Sequence, residues 1–125
     1  MNIDEITYKI IQAAYNVHNR LGSGFLEKVY HNAMLIELDE MLMTFETEKP
    51  IKVHYKEQIV GEYFVDILVA DCIIVELKAV ENLLPIHEVQ LVNYLNATGI
   101  DNGLLINFGS SVVVKRKYRK YNRQN

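Results

Sequence analysis

Apolar residues recur every three or four positions in the first third of the chain, and at alternate positions through much of the remainder. Ile6, Ile10, Ala13, Ala14, Val17 and Leu21 predict an amphipathic helix, with Asp4 as its cap and Gly22 as a left-handed residue past its end. After Ser23-Gly24 the same period returns in Leu26, Val29, Ala33, Met34, Leu38 and Met41, predicting a second helix. The pattern changes ahead of Pro50. Ile51 to Tyr55 alternates as a half-buried strand does, Lys56-Glu57-Gln58 forms a turn, and a long strand runs from Ile59 to Val69. Ala70-Asp71 interrupts it, and Cys72 to Lys78 is apolar enough for a central strand. Pro85 opens a third helix reaching about Thr98. Short strands follow at Gly103–Gly109 and Val112–Tyr118. The order ααβββαββ predicts an α/β (α+β) domain with a mixed sheet flanked by helices, the third helix suiting a parallel crossover.

Composition narrows this picture. A chain of 125 residues, 50% hydrophobic and 23% charged, has the size and apolar content of one domain with a real core. Its single cysteine, Cys72, excludes an internal disulfide and a cysteine-rich zinc site. No apolar run reaches the ~18–20 residues of a membrane span, and the first residues lack a basic and apolar leader. These features lead us to expect a soluble cytoplasmic domain with no membrane partner. The net charge of −3 is unevenly spread. Residues 115–125 carry Lys115, Arg116, Lys117, Arg119, Lys120 and Arg123, interleaved with Tyr118 and Tyr121. They read as a basic tail on a domain of residues 1–114. Such a tail suits a nucleic-acid backbone, or is simply a solvated end.

The chemistry concentrates in two apolar strands. Asp66 sits in Tyr-Phe-Val-Asp-Ile-Leu-Val, and Glu76-Leu77-Lys78 ends Ile-Ile-Val-Glu-Leu-Lys. Charges in such strands are costly to bury unless paired or bound to a cation. A two-residue turn between the strands would set Asp66 opposite Val75. A three-residue loop, Ala70-Asp71-Cys72, sets it opposite Glu76, so we expect an odd loop or bulge. Mg²⁺, or Mn²⁺, between the facing carboxylates would relieve their repulsion, and Lys78 returns to the same face to stabilise phosphate charge. A purely structural carboxylate–lysine pair is the competing reading. Glu27 opens the second helix with Tyr30 one turn on, while His87, Gln90 and Tyr94 share a stripe of the third helix, suiting a wet cleft.

Gly24-x-x-Glu27-x-x-Tyr30, Asp66, Glu76-x-Lys78 and Gln90-x-x-x-Tyr94, in this order, resemble the small GxxExxY proteins of the PD-(D/E)xK superfamily of restriction-endonuclease-like nucleases. The resemblance spans Ile6 to about Arg116, with Val65 where the motif's name has proline. It implies a restriction-endonuclease-like mixed central sheet. It also implies Glu27, Asp66, Glu76 and the Leu77 carbonyl as Mg²⁺ ligands, Lys78 as the catalytic lysine, and Gln90 and Tyr94 as support for site and substrate. Tyr30 and His87 are expected beside them. The expected function is Mg²⁺-dependent hydrolysis of DNA or RNA. The alternative is a non-catalytic module that retains the fold and binds nucleic acid or a partner, with Lys115, Arg116, Lys117, Arg119 and Lys120 as its contacts. Exposed apolar residues of the first two helices, and the small cleft a domain of this size offers, suggest a homodimer.

Overall fold

A computed structural model describes residues 1–120. Its elements are α1 (Ile3–Leu21), α2 (Glu27–Glu40), β1 (Phe45–Tyr55), β2 (Gln58–Val69), β3 (Ile73–Lys78), α3 (Pro85–Thr98), β4 (Asn102–Phe108) and β5 (Val112–Tyr118). The strands form one sheet in sequence order. Every neighbouring pair is antiparallel except β3 and β4, which α3 connects in parallel. This is the expected mixed sheet with helices on both faces. Among the described residues no helix is long and apolar enough to cross a membrane.

Two cores hold the layers together. On one face Ile10, Ala13, Val17 and Met34 of α1 and α2 pack on Ile67, Val75, Leu77, Leu104 and Ile106. On the other, Leu91 and Leu95 of α3 pack on Leu68, Ile74 and Leu105. β3 is buried from Ile73 to Leu77, Glu76 included, as its largely apolar sequence required.

Several expected boundaries move, each for a local reason. Asn2 caps α1, its side chain accepting from the Glu5 N–H at 2.9 Å. Asp4 instead reaches Arg116 of β5 at 3.1 Å. β1 starts at Phe45 rather than Ile51, because Glu46 to Lys49 are all exposed and leave no alternation to read. Pro50 fits inside it since β1 is an edge strand, where one row of N–H groups faces no neighbour. Lys115 to Tyr118 belong to β5, so the basic segment begins inside the sheet and not as a tail. Tyr121 and Arg123 lie outside the described residues.

The hairpin between β2 and β3 has the three-residue loop, with Ala70 at φ 51° and Asp71 at φ 56°. Cys72 is part of that loop rather than the first residue of β3. Val69 pairs with Ile73, Leu68 with Ile74 and Ile67 with Val75, which is the register that sets position 66 against 76. Regular pairing stops there. The β1 ladder also steps from Thr47–Ile67 to Lys49–Val65, leaving Asp66 without a Cα partner on either side. Val65 packs with the α3-side core whereas Ile67 packs on the opposite face, so β2 rotates at Asp66. Beyond it, residues 58–64 pair with β1 alone and form an arm.

Past Lys78 the chain is held by Asn107 of β4. The buried Asn107 amide accepts from the Val80 N–H at 2.9 Å and donates to the Val80 carbonyl at 2.8 Å. A side chain thereby extends the β3–β4 ladder by one rung. Asn107→Ala is expected to cost about 1–3 kcal/mol in urea unfolding, because both Val80 groups lose their partner. A loss within experimental error would mean that water replaces the amide.

Candidate functional site

At the point where the ladder stops, the two carboxylates take over its hydrogen bonds. The Asp66 N–H donates to Glu76 Oε1 at 3.1 Å, and the Leu77 N–H donates to Asp66 Oδ2 at 2.8 Å. Each acid thus caps a strand amide that regular pairing would have used. Glu76 is only 7% exposed. Burial first, then the charge of Asp66, pushes its carboxyl up to about 8, against the opposing pull of the Asp66 amide and of Lys78. Lys78 is half-buried and follows Glu76 on the same face of β3. Among the described residues it makes no ion pair with either acid, so its charge acts through the field rather than through contact.

Glu27 joins this field from the first turn of α2. Desolvation and then the Asp66 charge raise its carboxyl above the usual range, while Lys78 and His31 pull it back. The turn that carries it is fixed by Tyr30. That ring is wholly buried and stacks on Phe108 at 4.6 Å and 6°. Its hydroxyl donates to the Gly22 carbonyl at 2.7 Å and accepts from the Phe25 N–H at 3.2 Å. Gly22 and Gly24 bend the loop with φ of 74° and 101°, a region that favours glycine. Tyr30 lies inside the core, where it positions Glu27 and is out of reach of a substrate. Two histidines brace the same end of the sheet, His31 at 3.3 Å from the Asp66 carbonyl and His18 at 2.9 Å from the Gly109 carbonyl.

The opposite wall comes from α3. Burial and then the negative charge of Glu76 push the Tyr94 hydroxyl up to about 12, with smaller contributions from Tyr63 and Asp66. Tyr94 meets Tyr63 of the β2 arm with ring centroids 5.5 Å apart. Gln90 and His87 line the same cleft, of about 640 Å³. His87 also accepts the Leu84 N–H at 3.1 Å, an end-capping bond for α3. Hydrogen bonds join Asp66, Glu76 and the Leu77 backbone, with Lys78 next on β3, while Glu27 and Tyr94 are linked to them through charge.

The basic residues stand apart. Arg116 pairs with Asp4 at 3.1 Å, Lys117 with Glu88 at 2.9 Å and Arg119 with Asp101 at 2.9 Å. The Lys120 N–H donates to Asn96 at 3.0 Å, and Lys115 is exposed on β5. Sequence reasoning missed Tyr63, His31 and Asn107. The buried-strand setting of Asn107 was its one readable signal, since an amide there needs two partners.

Whether these residues suit a cation depends on their chemistry. Among the described residues no three His, Cys, Asp or Glu side chains are gathered closely enough to enclose an ion as they stand. The donor set nevertheless fits a hard divalent cation. Three carboxylates share one lysine, and both Glu27 and Glu76 hold their protons more tightly than usual, through burial first and then the charge of Asp66. Asp66 Oδ2 and Glu76 Oε1 each accept a strand amide, and the two carboxyls also share a side-chain hydrogen bond.

The sequence profile of the PD-(D/E)XK nuclease superfamily matches residues 4–121. Members of that superfamily generally use divalent metals. No curated protein matches the chain. Among solved structures, the crystal structure of SSO0001 is similar in fold, with a TM-score of 0.61 and 16% identity. The match covers 77% of this chain and 52% of that one, so the chain spans about half its length.

The raised Glu76 carboxyl fixes the pH dependence of the metal-free protein. Below the ordinary value of 4.5 the group is protonated folded or unfolded; between 4.5 and about 8 only the folded chain keeps the proton. Stability therefore falls as pH rises through this window and levels off above it. The melting temperature in EDTA is expected to drop by several degrees from about pH 5 to about pH 8.5, and Glu76→Gln to flatten that drop. A melting temperature that rises across the window would contradict the burial of an acid here.

Proposed function

The chain belongs to the PD-(D/E)XK nuclease superfamily, and from that premise we propose that it hydrolyses phosphodiester bonds of DNA or RNA with Mg²⁺ or Mn²⁺. Within the superfamily we read its Gly24, Glu27 and Tyr30 spacing as that of the GxxExxY group. The observation that carries the reading is the reciprocal capping of strand amides by Asp66 and Glu76, with Lys78 next on the same face.

Asp66, Glu76, Glu27 and the Leu77 carbonyl would hold the ion. When bound, it supplies Lewis-acid activation of the phosphodiester and neutralises charge on it. Asp66 and Glu76 are held in place by the amides they accept, so little reorientation opposes binding. The Lys78 ammonium, on a strand end fixed by Asn107 at Val80, offers donors to a phosphoryl oxygen and offsets the charge that grows there. Tyr94 keeps its proton far above neutral pH and remains a hydrogen-bond donor to the substrate side of the cleft. Gln90 and His87 border the same space. Tyr30 acts at one remove, by holding the Glu27 turn.

A binding-only module is the weaker reading, since Arg116, Lys117 and Arg119 spend their charge on acids of the body. Self-association rests only on exposed side chains such as Tyr8, Tyr15 and Ile36, and enters no step of the chemistry. A reducing cytoplasm suits the free Cys72.

Purified protein with Mg²⁺ or Mn²⁺ is expected to cleave single-stranded, duplex or branched nucleic acid. Lys78→Ala and Asp66→Asn should each lower the rate by about 100-fold or more, the asparagine preserving the bond to the Leu77 amide. Mg²⁺ should raise the melting temperature of the wild type and not of Asp66→Asn. Cleavage that survives both substitutions would place the chemistry elsewhere.

A further inference from the structure

The carboxylate chemistry does not account for the cleft between α3 and the β1–β2 arm. Because β2 rotates at Asp66, Tyr63 on the arm meets Tyr94, the two rings tilted at 45°. Tyr94 is nearly buried, whereas Tyr63 is 46% exposed and offers its ring to the cleft. Val60 and Ile86 give the walls apolar surface, and Gln90, Asn93 and Asn96 supply amides that both donate and accept. At about 640 Å³ the space falls within the range that encloses a small organic ligand. Ala97 is shared with a second cleft of about 490 Å³, lined by Lys52 and His54 together with Asp71 and with Lys49, which pairs with Glu46 at 2.9 Å. Tyr94 links this cleft to the acids, for its hydroxyl feels the charge of Glu76 and Asp66.

An aromatic face with paired amide donors and acceptors, beside an adjoining cleft that carries Lys52, matches an unpaired base on a phosphate backbone. A base inside a duplex has its faces covered by neighbours and its pairing edge occupied, so it can offer neither to this cleft. We propose that the cleft seats an unpaired nucleobase of the strand presented to Asp66, Glu76 and Lys78, with Tyr63 as the stacking platform. The substrate class is then nucleic acid with a single-stranded stretch or end. This rests on the nuclease reading for what happens to the strand, but not for its binding.

The 125-residue chain contains no tryptophan, so Tyr63→Trp introduces a sole indole reporter at the platform. Labelled oligothymidylate, oligouridylate and a matching duplex are titrated in EDTA, and again with Ca²⁺, with anisotropy as the readout. Single strands are expected to bind more tightly than duplex, and the DNA and RNA arms decide between the two sugars. Tyr63→Ala should weaken single-strand binding roughly 5- to 100-fold, the loss typical of one stacked base, and Tyr63→Phe should retain it. Tyr63→Trp should bind, and its emission should be quenched at saturation. Wild-type affinity in Tyr63→Ala, equal affinity for duplex, unquenched indole emission, or no single-strand binding in either medium would overturn the proposal. Because no turnover is needed, a Tyr63-dependent complex that is not cleaved when Mg²⁺ or Mn²⁺ is added would sink the enzymatic reading and leave this one standing. Cleavage insensitive to Tyr63 would do the reverse.

Discussion

The structure turns on two acids that accept hydrogen bonds from each other's strands. Asp66 and Glu76 face one another in a register that would bring like charges together inside an apolar sheet, an arrangement that ordinary pairing penalises. The chain resolves the conflict by ending the ladder there. The carboxylates occupy the amides that the missing rungs would have used, and β2 rotates and leaves the sheet as an arm. Burial first, and then the repulsion that remains, keep the Glu76 proton high. The remaining imbalance is what a divalent ion would satisfy.

Much of the surrounding fold serves to keep this end of the sheet rigid. Tyr30 ties the Gly22–Phe25 loop to the core and so fixes where Glu27 begins α2. Asn107 continues β3 past Lys78, and His18 holds Gly109 on the neighbouring turn. A Cβ at Gly109 would come within 3.0 Å of the Val80 carbonyl, so the backbones of the two turns are in close contact. The helices on one face and α3 on the other seal the strands from water. Buried charge therefore acts in a low dielectric, where it matters most.

The element order and the central register were legible because each obeys a local rule. A three-residue loop forces 66 against 76, and a largely apolar run marks β3 as central. The acids stood out because charge in such a run is costly. What was not legible depends on contacts distant in sequence. The exposed residues Glu46 to Lys49 carry no periodicity, so only pairing with β2 makes them strand. Strict alternation would not bring Tyr63 to Tyr94; the rotation at Asp66 does. The cations of β5 and of the residues just after it look like a nucleic-acid tail until Asp4, Glu88 and Asp101 arrive beside three of them.

Proton release on metal binding addresses the central claim most directly. At pH 7 a Glu76 carboxyl that titrates near 8 still holds its proton, and a carboxylate must lose it to take up a cation. Calorimetric titration of Mg²⁺ or Mn²⁺ in buffers of differing ionisation enthalpy is expected to show close to one proton released per ion at pH 7, fading by about pH 9. Binding with no proton release at pH 7, or no heat of binding at any pH, would contradict the coupling of these two acids to a metal.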